Sequence, residues 1–92
     1  MFKKSKEFNQ DISGWDVSSG KIFRNMFLVN PKFNQDISNW DVSNGVDFYR
    51  MFEQSEKFNQ DISNWDVSKS QTHTDFYKDS LLNSSQVPLK FR

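Results

Sequence analysis

Three aspartates, Asp16, Asp41 and Asp66, stand 25 residues apart in a chain of 92, and each is followed two places on by a serine, Ser18, Ser43 or Ser68. Carboxylate and amide oxygens in a row suit a hard cation such as calcium, so one reading is a metal held along Asp16, Asp41 and Asp66. The competing reading is local: each carboxylate accepts hydrogen bonds from the backbone N–H or hydroxyl of its own serine. The local reading is favoured, because the chain has neither an EF-hand loop nor a glycine-rich calcium repeat. Asp11, Asp36 and Asp61 recur with the same period and read as anchors of the turn before the isoleucine that follows. Asn9, Asn34 and Asn59 each follow a phenylalanine and read as an inward-facing amide ladder serving backbone groups of the next repeat.

His73 is the single histidine. Nucleophilic catalysis would need a nucleophile and an orienting acid to converge on it, and the pattern supplies neither, so no catalytic residue is assigned. Trp15, Trp40 and Trp65 form a row that could stack on a sugar. Their alternation with polar neighbours places them in the core instead. Asn83-Ser84-Ser85 fits a glycosylation acceptor, a triplet that arises often by chance.

Composition narrows the classes further. Twelve basic and twelve acidic residues give a net charge of 0, without the basic excess of a nucleic-acid or anionic-membrane footprint. No cysteine is present, which excludes disulfides and thiolate zinc sites. No apolar run approaches the roughly 20 residues that span a bilayer, and nothing at the start resembles a signal peptide, so the expectation for the sequence as written is cytoplasmic. Ten phenylalanines and three tryptophans in so small a chain point to a folded domain whose rings supply most of the burial. No cofactor is expected.

These residues sit in a repeat. The run Phe-Asn-Gln-Asp-Ile-Ser-x-Trp-Asp-Val-Ser occurs at residues 8–18, 33–43 and 58–68. A fixed period of that length means stacked units, each too small to bury its own apolar side chains. Phe48, Met51, Phe52 and Ser55 follow the i, i+3, i+4, i+7 spacing of a short helix, as do Phe23, Met26, Phe27 and Asn30, and then His73, Phe76, Tyr77 and Ser80. Trp40 and Val42 alternate with Asp41, which is strand spacing, and Ile37-x-x-Trp40-x-Val42 has the spacing of a leucine-rich repeat. Asp47 and Thr72 suit helix N-caps, and Gly20 and Gly45 mark bends that Ser70 takes over in the third repeat. The expected fold is therefore an α/β repeat solenoid, a leucine-rich-repeat-like right-handed stack of short parallel strands and short helical turns. Its single domain would comprise repeats 1–25, 26–50 and 51–75 with a degraded capping repeat 76–92, ending in an edge strand over residues 87–91.

The run Met-Phe-x-x-Ser-x-x-Phe-Asn-Gln-Asp-Ile-Ser-x-Trp-Asp-Val-Ser closely resembles the BspA-like bacterial surface-protein repeat found in mycoplasma-type lipoproteins, a domain of unknown function. The resemblance covers residues 1 to about 80 and departs from the usual pattern at Gly20 and Gly45. It implies a fold similar to leucine-rich repeats, a place at the cell surface if the chain is part of a longer protein, and adhesion or partner binding without catalytic residues.

The expectation is thus a non-enzymatic interaction or adhesion module with an unnamed protein partner. Its contact residues would be the outward positions Gly14, Asp16, Ser18, Asn39, Asp41, Ser43, Asn64, Asp66 and Ser68. The alternative is a calcium-dependent adhesive module using the aspartate row. Because the first repeat has no predecessor, Met1, Phe2, Phe8, Ile12 and Trp15 would be covered on one side only, and a homodimer joining two first repeats is expected.

Overall fold

Two residues of each 25-residue unit, four places apart, set the backbone course. Asn25 and Val29 have φ of 58° and 50°, Arg50 and Gln54 of 53° and 56°, and Asp75 and Asp79 of 57° and 58°. A left-handed residue inside a turn reverses the peptide plane, so an i→i−4 ladder cannot propagate through it. In this computed structural model, which describes residues 3–92, the apolar segments are accordingly chains of tight turns. Met26 N–H donates to the Phe23 carbonyl at 3.3 Å and Leu28 N–H to that of Asn25 at 3.2 Å, and the same turns recur at Met51 and Glu53.

The α/β solenoid expected from the spacing does not form. The regular elements among the described residues are two three-residue 3-10 helices, Ser84–Gln86 and Leu89–Phe91, and the strand pairing is limited to isolated parallel bridges, Ile22 to Asp47 and Asp47 to Thr72. The molecule is a compact globule of turns, 31 × 25 × 19 Å. The strand expected around Trp40 and Val42 is absent because its donors are spent locally: Trp40 N–H on Ile37, Ser43 N–H on Asp41, Gly45 N–H on Val42. The bridges lie instead at Asp47 and Thr72, where helix N-caps were expected. Asp47 does accept from Tyr49 N–H at 3.1 Å, but it starts a turn rather than a helix. The terminal segment is 3-10 helical and not an edge strand.

The helical spacing nevertheless identifies the buried face, since two successive turns return side chains inward at nearly the same interval as a helix. Phe23, Met26, Phe27, Phe48, Met51, Phe52 and Phe76 are all buried. Equivalent rings lie one on another. Phe8, Phe33 and Phe58 stack at 5.6 and 5.7 Å, Phe27 on Phe52 at 5.3 Å, and Phe23 on Phe48 at 5.3 Å. Phe27–Phe33 and Phe52–Phe58, at 4.3 and 4.4 Å, tie the rows together. Such pairs each add about 0.5–1.5 kcal/mol beyond area burial.

Trp40 and Trp65 are buried as expected, whereas Trp15 is 46% exposed. Each buried indole donates to the preceding repeat: Trp40 Nε1–H to the Ile12 carbonyl and Trp65 Nε1–H to that of Ile37, both at 3.1 Å. Ile12, expected on an open end, is buried. Met1 and Phe2, expected beside it, lie outside the described residues.

Gly20 and Gly45 owe their place to crowding rather than to backbone freedom, since no glycine has positive φ. A Cβ on Gly20 would lie 2.8 Å from Phe23 Cζ and 3.0 Å from the Val17 carbonyl. One on Gly45 would lie 2.7 Å from Phe48 Cε2 and 3.0 Å from the Val42 carbonyl. In the third repeat both partners change together, with Ser70 opposite the smaller His73 ring.

Two stability predictions follow from this packing. Trp40→Ala removes a buried ring and orphans the Ile12 carbonyl, so chemical denaturation should show a loss of about 3–5 kcal/mol. A cooperative unfolding curve close to that of the parent would mean that the ring carries no packing. Gly45→Ala forces the buried Phe48 ring to move and should cost about 1–3 kcal/mol. The same change combined with Phe48→His should cost measurably less, and equal losses in the two backgrounds would sink the glycine–ring coupling.

Candidate functional site

The exposed side of the repeats is built from two Asx-type turns per unit. Asp41 Oδ1 accepts from Ser43 N–H at 3.0 Å and from its hydroxyl at 2.6 Å, and Asp16 does the same with Ser18. Asp66 accepts from Ser68 N–H at 3.1 Å. Asp11, Asp36 and Asp61 accept from Ser13, Ser38 and Ser63 N–H at 3.0, 2.9 and 3.0 Å. The turn they anchor therefore spans the isoleucine instead of preceding it. An aspartate that accepts at i+2 fixes a bend without a glycine, which is why one motif can carry two bends.

All nine expected contact residues lie on this exposed or half-exposed surface: Gly14, Asp16, Asn39, Asp41, Asn64, Asp66 and Ser68 are exposed, Ser18 and Ser43 half-buried. A Cβ on Gly14 would meet nothing within 4 Å, so that position of the row is open. Asn39 reaches back to the Ser13 carbonyl at 3.4 Å, and Asn44 to that of Ser18 at 2.8 Å while Lys69 Nζ donates to it at 2.9 Å.

The serine hydrogen bonds hold the carboxyls of Asp11, Asp16, Asp36 and Asp41 below the usual aspartate range, side-chain bond first and backbone bond second. Asp61 is lowered in the same way, with help from Arg92. For Asp66 the Ser68 backbone bond leads. Repulsion from Asp16 on Asp41, and from Asp41 on Asp66, is a smaller opposing effect. Like charges in a row are thus tolerated because the hydrogen bonds of each serine stabilise its carboxylate. Among the described residues no three carboxylates or imidazoles are placed to share a metal ion.

The amide ladder exists, though on the surface rather than inward. Asn9 Oδ1 accepts from Asn34 N–H at 2.9 Å and Asn34 Oδ1 from Asn59 N–H at 2.9 Å. Gln35 and Gln60 clamp the same oxygens at 3.0 Å, and Gln86 repeats the clamp on Asn59 at 2.9 Å.

Two features escaped the sequence reading. Tyr49 is sandwiched between Arg24 and Arg50, each guanidinium 4.8 Å from the ring centre, with Arg24 paired to Asp47 at 2.8 Å. The equivalence of positions 24 and 49 was the available signal. The second is a cavity of about 340 Å³ lined by His73, Thr74, Asp75, Phe76, Tyr77, Lys78 and Phe91. His73 is stacked on Phe91 there at 4.6 Å, and no hydrogen bond joins it to Asp75 or Thr74.

Compared with known protein families, residues 1–88 match the one described as "Mycoplasma protein of unknown function, DUF285". Compared with curated proteins and with solved structures, the chain matches none.

The lowered carboxyls imply a pH response with a definite sign. A folded-state value below the unfolded one, about 3.9 for aspartate, adds stability above that value and loses it as pH falls through the folded one. Melting temperature should therefore be flat from pH 7 to about 5 and decline below about 4. In carbon-detected NMR, Asp41 should titrate below the unfolded value and move up in Ser43→Ala. A titration at or above the unfolded value in the parent would overturn this account of how the serines stabilise the row.

Proposed function

From the premise that the chain belongs to this mycoplasma family of unknown function, we propose that it is a non-enzymatic protein-interaction module of the kind used in surface adhesion. The observation that carries the reading is the exposed face of three repeated Asp–Ser turns, each carboxylate held by its serine, with Gly14, Asn39 and Asn64 exposed beside them. A face of pre-set acceptors loses little conformational entropy on binding, which favours polar contact with a partner's backbone and cationic groups. The contact residues are Gly14, Asn39 and Asn64 with the flanking Asp16, Asp41, Asp66, Ser18, Ser43 and Ser68.

Calcium-dependent adhesion is the weaker reading, because each Asp Oδ1 on this face is already engaged by its serine. Self-association through the first repeat is favoured by one observation, the exposure of Trp15 and Ile22 at that end.

Immobilised protein should enrich a defined set of surface or extracellular proteins. Gly14→Arg and Asn64→Arg, at exposed positions outside the core, should abolish that enrichment without changing the melting temperature. Identical enrichment by parent and variants would refute the assignment of this face.

A further inference from the structure

Four files of backbone hydrogen bonds between repeats run in one direction and stop at the third, beside a further row in which Val46 and Asp47 N–H donate back to the Lys21 carbonyl, and Gln71 and Thr72 N–H to that of Val46, at 2.8 to 3.2 Å. N–H groups of Phe23, Asn25, Phe27 and Val29 donate to the carbonyls of Asp47, Tyr49, Met51 and Glu53 at 2.8 or 2.9 Å. Those of Phe48, Arg50, Phe52 and Gln54 donate to Thr72, Thr74, Phe76 and Lys78 at 2.7 to 3.0 Å. The next donors in register are the N–H groups of His73, Asp75, Tyr77 and Asp79. None of the four has an acceptor among the described residues, although Phe76, Lys78 and Ser80 close the same turns as their counterparts. The left-handed residues Asp75 and Asp79 hold the edge in the conformation of the two filled edges. The 340 Å³ cavity opens beside this row, with Phe76 and Phe91 in its wall.

We propose that this edge captures one further turn segment of the same type from another polypeptide, carrying the Phe-x-x-Met-Phe pattern of residues 48–52. Its alternate carbonyls would accept from the four open N–H groups. Its second ring would enter the cavity beside Phe91, which already stacks on His73 at 4.6 Å. The chemistry is selective. An extended strand presents donors and acceptors alternately along one edge and would set some of its own N–H groups against these. The backbone of residues 47–54, with left-handed residues at 50 and 54, turns the carbonyls of Asp47, Tyr49, Met51 and Glu53 to one side.

A second copy of this chain is not the occupant. The carbonyl rows of its second and third repeats are already filled. Its first repeat is flanked by Phe8 and Ile12, which lie against Phe33 and Trp40 where residues 83–92 of a docking copy would have to sit. The surface is also distinct from the Asp–Ser face, so the two readings can fail independently.

The test titrates isotopically labelled protein with a synthetic, end-blocked peptide of residues 46–55. Saturable binding is expected with Kd of about 100 μM or tighter, with shifted and slowly exchanging amides at His73, Asp75, Tyr77 and Asp79. A peptide carrying Phe48→Ala and Phe52→Ala should bind at least about tenfold more weakly. A Lys32→Glu protein, changed at an exposed position with no assigned role, should bind the parent peptide unchanged. No saturation by about 1 mM, perturbation confined to other residues, or equal binding of both peptides would each overturn the proposal. So would slow, dilution-sensitive exchange of the four amides before peptide is added, which would mean that a second copy already fills the edge.

Discussion

Alignment of peptide units across the repeats is the constraint on which the structure depends. The unit joining Asp47 to Phe48 turns its carbonyl toward Phe23 and its N–H toward Thr72, and the units around residues 49–50, 51–52 and 53–54 do likewise. Four files of peptides thus run head to tail through the molecule, each bond polarising the next as in a helix, but perpendicular to the chain. The arrangement has an energetic cost, because Val29, Arg50 and Gln54 are not glycines and a left-handed residue costs of order 1–3 kcal/mol. Two hydrogen bonds to neighbouring repeats per turn, together with stacked rings, offset that cost only when neighbours are present. A single unit could not hold this backbone alone, which is the physical sense in which the 25-residue repeat is indivisible.

The rings and the files are mutually dependent. Turning alternate peptides outward brings successive repeats close enough for Phe23 to lie 5.3 Å from Phe48, and that approach leaves no room for a Cβ at Gly45. On the opposite side, where the backbone has no such files, side chains make the inter-repeat bonds: the indoles of Trp40 and Trp65, and the Asn–Gln clamps at residues 34–35 and 59–60. Main-chain and side-chain ladders therefore divide the two sides. The motif residues Asn, Gln and Trp belong to the second, and the positions that vary more between repeats surround the first.

Burial was legible in the sequence, but backbone conformation was not. The i, i+3, i+4 spacing of Phe48, Met51 and Phe52 marks the inward face whether the chain is helical or folded into paired turns, so it named the core and misnamed the element. Left-handed conformation usually announces itself through Gly or Asn, yet here it falls on Lys4, Val29, Arg50 and Gln54, and neighbouring repeats impose it. The Asp–Ser turns were readable because their cause is local, an i to i+2 hydrogen bond that needs no tertiary context. The open donor edge could not have been read from the sequence. It exists because the four files share a direction, and direction is a property of the assembled backbone.

That direction gives the two ends opposite electrostatic character. At the start of the files the carbonyls of Ile22 and Arg24 face away from the second repeat, and that of Leu28 accepts from Lys4 N–H at 2.7 Å. At the far end the N–H groups of His73, Asp75, Tyr77 and Asp79 emerge beside the carboxylates of Asp75 and Asp79. The net charge of 0 is blind to this polarity, which the backbone sets. Recognition at the two ends must accordingly differ in kind, an acceptor-seeking edge at one and a donor-seeking edge at the other. The Asp–Ser face, perpendicular to neither charge nor dipole control, owes its polarity to side chains alone.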